Sequence, residues 1–84
     1  MAYDWAPDIL DGLESLGVKP TPASAPAPVK DYVSQIYRYE LRRLRARLVR
    51  GEIAKPAYAG LVAALRPRYW MLSRPAAEWA RARP

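Results

Sequence analysis

Apolar and polar positions along the chain separate into five stretches. In the first, Ile9, Leu10, Leu13 and Leu16 fall at helical spacing, with Asp8, Asp11 and Glu14 on the opposite side. Pro7 suits a first helical turn, and the acids there suit the positive end of a helix dipole. Gly17 is placed to end that helix in a left-handed residue, with Val18 closing the hydrophobic contact of a Schellman motif. Residues 1–18 therefore predict a short amphipathic helix, marginal alone in water and in need of a surface. Residues 19–29 hold four prolines and little to bury, which predicts an extended, semi-rigid linker.

From Asp31 to Arg50 the pattern changes. Tyr37, Leu41, Leu44 and Leu48 repeat at i, i+4, i+7 and i+11, which predicts a longer helix with one narrow apolar stripe. Asp31 is a plausible N-cap, and Gly51 a plausible terminator. From Pro56 to Arg66, Tyr58, Leu61, Val62 and Leu65 form a second helical face, which Pro67 closes. The connection between the two is short, so they are expected as antiparallel neighbours. Tyr69 to Leu72 is an apolar knot expected to supply a third wall to this pair, and Pro75 to Arg81 predicts a short final helix around Trp79. The expected fold is all-α, with residues 30–84 as a basic helical hairpin carrying an aromatic C-terminal segment.

Charge adds a second asymmetry. The net charge of +6 is uneven. Residues 1–31 hold five acids and two lysines, whereas residues 32–84 hold eleven arginines, Lys55 and three acids. An acidic head on a basic body either attracts anionic partners to the body or folds back onto it. With 84 residues the chain makes one small domain with a thin stability margin, so a partner or a second copy is expected to complete its core.

Several chemistries lose their residues. Histidine and cysteine are absent, which removes the commonest general base, the thiolate nucleophile and most transition-metal ligands. The four glycines are scattered and build no phosphate loop. The reading is a protein without catalysis and without a cofactor. The chain opens without a basic, apolar leader, and its apolar runs are far shorter than a membrane span. A cytoplasmic location is the expectation.

Four constellations remain as binding candidates. The first is the amphipathic N-terminal segment with Trp5, Ile9, Leu13 and Leu16, a helix-in-groove pattern on a proline tether. It docks either on a partner or on the chain's own hairpin. The second is a strip of Tyr32, Ile36, Tyr39 and Arg43 on a second face of the long helix, in residue types enriched at interface hot spots. The third is Trp70 within its aromatic and arginine run. The fourth is the arginine set Arg38, Arg42, Arg43, Arg45, Arg47 and Arg50, either an anion-binding surface or long stems covering the rim of a small core.

Leu41 to Leu65, through Leu44, Leu48, Gly51-Glu52-Ile53, Tyr58 and Leu61, resembles the short C-terminal oligomerisation hairpins called SHOCT domains. Pro56 and Ala57 stand where that family usually has acidic residues. The resemblance implies self-association or partner binding rather than chemistry. The function expected from the whole sequence is a non-catalytic accessory protein that joins a larger protein complex, or itself, through helical contacts. The alternative is a small nucleic-acid-binding regulator that uses the arginine helix.

Overall fold

A computed structural model describes residues 2–84. The elements in chain order are β1 (Tyr3–Trp5), α1 (Pro7–Ser15), α2 (Pro26–Val49), α3 (Lys55–Arg68), 3-10 turns at Trp70–Ser73 and Ala76–Glu78, and β2 (Ala80–Ala82). The protein is mainly helical, but not all-α as expected, because β1 and β2 pair antiparallel with Tyr3 opposite Ala82 and Trp5 opposite Ala80. Both strands are three residues long, too short to show a period-two pattern.

Helix ends follow their local chemistry. Each of the three helices opens with proline in its first positions, where the missing N–H would have no intrahelical partner. Two of them end in Schellman motifs. Gly17 N–H donates to Glu14 and Val18 N–H to Leu13, while Gly51 N–H donates to Leu48 and Glu52 N–H to Arg47. Gly17 and Gly51 have φ of 78° and 76°, the left-handed region where glycine avoids the Cβ penalty.

The proline rule also corrects the expected boundaries. Pro26 and Pro28 lie in the first turn of α2, so the long helix starts five residues before Asp31, and Asp31 is no cap. Thr21 to Ser24 form a closed turn, with the Thr21 N–H donating to Ser24 Oγ at 3.0 Å and Ser24 N–H to the Thr21 carbonyl at 2.9 Å. Tyr3 N–H reaches across to the Pro22 carbonyl at 2.8 Å. Residues 19–29 are thus a folded connection rather than an extended tether. Pro67 does not stop α3 but sits inside its last turn, where only one hydrogen bond is lost. The expected helix over Pro75–Arg81 is instead a 3-10 turn followed by β2.

The core sits at one end of the molecule. Ile9 and Leu13 of α1, Val33 of α2, Leu65 of α3, Tyr69, Met71 and Trp79 form one buried cluster. Trp79 is fully buried, and its Nε1–H donates to the Met71 carbonyl at 3.1 Å and the Arg74 carbonyl at 3.2 Å. α1 lies close on the first 3-10 turn, because Gly12 leaves no Cβ. A methyl group there would stand 2.6 Å from Met71 Cε. Two ion pairs tie the acidic head to the basic C-terminal stretch, Asp8–Arg74 at 2.7 Å and Asp4–Arg83.

Beyond this head the molecule is an arm. No residue from 34 to 64 is buried. α2 is 24 residues long, about 36 Å at 1.5 Å per residue, and α3 lies against its outer half. The extents are 53 × 19 × 17 Å and the radius of gyration is 15.3 Å. A compact chain of this length would have a radius near 12 Å. The difference is the arm.

Candidate interaction surface on the two-helix arm

Leucine stripes bring α2 and α3 together. Leu41 and Leu44 of α2 pack towards the core that holds Leu65 of α3. At the base of the arm the Tyr37 and Tyr69 rings meet with centroids 4.7 Å apart, tilted by 35°. The Tyr69 hydroxyl donates to Glu40 Oε2. Burial, and then the neighbouring Glu40 carboxylate, hold the Tyr69 phenol well above its ordinary ionisation range. This cluster fixes the end of α3 against α2.

Two helices side by side leave a groove between them. Its lining comes from Glu40, Arg43, Leu44 and Arg47 of α2, and from Leu61, Ala64, Leu65 and Arg68 of α3. Each set follows i, i+3, i+4 and i+7, so each helix presents one continuous stripe. The open volume is about 330 Å³. Leucine and alanine supply the apolar part, and Arg43, Arg47 and Arg68 supply the positive charge. A second hollow continues the groove towards the tip, between Arg43, Ala46, Arg47, Arg50 and Glu52. Leu61 remains 40% exposed. The aromatic C-terminal segment, expected as the third wall of this helix pair, walls the head instead. Tyr69, Met71 and Trp79 face Ile9, Leu13 and Val33.

Charge concentrates on the arm. Residues 38–68 carry eight arginines and Lys55 against Glu40 and Glu52. Glu52 pairs with Arg50, and Glu40 takes the Tyr69 hydroxyl. Among the described residues, Arg38, Arg42, Arg43, Arg45, Arg47, Arg66 and Arg68 make no ion pair. Arg47 is half-buried, and Arg38, Arg42, Arg43, Arg45 and Arg50 are exposed.

The expected binding residues separate accordingly. Ile9 and Leu13 are fully buried in the protein's own core, and Leu16 and Trp5 pack against it. The N-terminal helix is therefore a wall of the head and not a free docking peptide. The physical reason is that its apolar face joins Met71, Trp79 and Val33 in one buried cluster, where Ile9 and Leu13 lose all contact with water. The Tyr–Arg strip is divided. Ile36 packs on the core, whereas Tyr32 and Tyr39 are each 56% exposed. The Arg43 guanidinium lies 5.9 Å from the centre of the Tyr39 ring. Trp70 is exposed on the head, with the Arg74 guanidinium 5.0 Å from its ring centre.

Leu44, Leu61, Ala64, Leu65 and Arg68 were not among the expected binding residues. Leu65 is covered and Leu44 half-covered, whereas Leu61 and Ala64 stay open. That open side follows from the missing third wall, and a linear pattern does not reveal it.

No group of three or more acidic side chains that could hold a metal ion occurs among the described residues. No helix among them is long and apolar enough to cross a membrane. Comparison with protein-family models, with curated proteins and with solved structures returns no match.

Proposed function

We propose that this protein is a non-catalytic binding module, an accessory piece of a larger protein assembly, which uses the arm as its contact surface and the head as the anchor that holds the arm rigid. The observation that carries this reading is the open groove, in which Leu61 and Ala64 lie exposed between two helices above half-buried Leu44 and buried Leu65. A two-helix layer buries its apolar stripes fully only when a further layer covers them. A chain with no histidine, no cysteine and no phosphate loop also has little with which to do chemistry. The resemblance of residues 41–65 to SHOCT hairpins points towards association as well.

The test is an affinity purification of the full chain from its native cells, compared with Leu61→Asp and Ala64→Asp. Both positions are exposed, so both variants are expected to keep the wild-type circular dichroism. A protein recovered in fixed stoichiometry with the wild type is expected to be lost from both variants. Recovery of bait alone, or a partner retained by both variants, refutes the reading.

A further inference from the structure

Resting on that reading, we infer that the occupant of the arm groove is an acidic amphipathic α-helix of a different protein, which completes a three-helix layer. Shape comes first. The two stripes, 40-43-44-47 and 61-64-65-68, run side by side as the walls of a channel. A third helix fits such a channel by setting its own ridge into the groove, with helix axes 8–10 Å apart. An extended peptide gains nothing here, since the helices of the arm satisfy their own backbone groups and offer no strand edge.

Charge selects the kind of helix. Arg43 and Arg47 stand one turn apart on one wall, Arg68 stands on the other, and Arg50 continues the line towards the tip. None of Arg43, Arg47 and Arg68 is matched by an acid of the chain itself. A helix with leucine-like residues at i, i+3, i+4 and i+7, flanked by glutamates or aspartates, satisfies the floor and the arginines of both walls; Glu40, the one acid of the lining, already accepts the Tyr69 hydroxyl. A basic or neutral helix leaves the arginines facing each other across an apolar layer, where desolvated charge is costly.

A second copy is a poor occupant. Its own arm would bring the same arginines against these. Its acidic helix α1 has already turned Ile9 and Leu13 inwards, so it offers acids without an apolar ridge. A nucleic-acid backbone would match the arginines but would leave Leu61 and Ala64 against phosphates and sugars. The apolar floor between the charged walls decides for a protein helix.

The experiment uses the full chain as target for a display library of 18-residue peptides. Each carries a fixed helical apolar stripe and randomised flanks, and peptides that also bind Leu61→Asp are removed. Enriched peptides are expected to be net negative, with acids at i and i+4 on one flank. They should turn helical on binding and weaken about tenfold or more against an Arg43→Glu, Arg47→Glu double variant. They should also weaken as salt rises from low to physiological ionic strength. Enriched peptides that are neutral or basic overturn the inference while leaving a groove-binding module intact. Recovery of no groove-dependent peptide overturns it as well. So does a DNA duplex or single-stranded RNA that binds more tightly than the best peptide, or dimerisation in sedimentation that Leu61→Asp abolishes. The failure of the wider function is read separately, from the affinity purification.

Discussion

Changing Tyr69 to phenylalanine removes one oxygen at the point where arm and head meet. The ring keeps its place against Tyr37, so the perturbation is the hydrogen bond to Glu40 and little else. A hydrogen bond to a charged acceptor contributes about 1.5–3 kcal/mol, and its loss leaves a half-buried carboxylate without that donor. Tyr69→Phe is therefore expected to cost about 2 kcal/mol near neutral pH. For a domain of this size that lowers Tm by roughly 8–16 °C. The pH dependence gives a sharper check. The phenol ionises near 10.0 in the unfolded chain and well above that when folded. Its contribution is complete below the unfolded value and is lost as pH rises through the folded one. By pH 11 ionisation stabilises the unfolded wild type by about 1.4 kcal/mol, while the phenylalanine variant has nothing to ionise there. The gap between the two proteins should shrink to well under about 1 kcal/mol. Urea unfolding of both proteins at pH 8 and at pH 11 measures it. A variant within about 0.5 kcal/mol of wild type at pH 8, or a gap that stays constant to pH 11, would refute the argument.

Two further outcomes follow from the division into head and arm. Leu13→Ala truncates a side chain buried among Met71, Trp79 and Val33, and is expected to cost about 2–5 kcal/mol, whereas Val49→Ala, 76% exposed on the arm, should lie within about 0.5 kcal/mol of wild type. Equal losses in denaturant titrations would show that the core is not confined to the head. Gly51→Ala meets no neighbouring atom but must hold φ near 76°, so it should destabilise by about 1 kcal/mol through backbone strain alone; a thermal melt unchanged from wild type would exclude the left-handed Schellman end.

Local signals in the sequence were the most legible. The leucine repeat from Tyr37 to Leu48 marks α2, and Gly17 and Gly51 mark two helix ends, because each signal lies within a few residues. Pro26 and Pro28 misled for a physical reason. A proline run reads as a spacer, yet the first turn of a helix has no use for the N–H groups that proline lacks. The two strands were invisible, since three residues carry no pattern and their pairing joins positions at opposite ends of the sequence. The site was half legible. Arg43 and Arg47 could be singled out by type, but the openness of Leu61 and Ala64 depends on where the aromatic segment after α3 comes to rest. Only the whole fold decides that segment's place.

The pairing of β1 with β2 also bears on how the chain comes to be folded. Tyr3 meets Ala82, so the head closes only once Ala82 has been made, while the contacts of the arm join α2 to the next helix along the chain. Local contacts form early and distant ones late. During synthesis at about 5–20 residues per second, Ile9 and Leu13 must wait several seconds for Met71 and Trp79 to emerge. Until that cover arrives the apolar side chains of the α1 segment are bare, and the acids interleaved with them, Asp8, Asp11 and Glu14, favour its staying in solution.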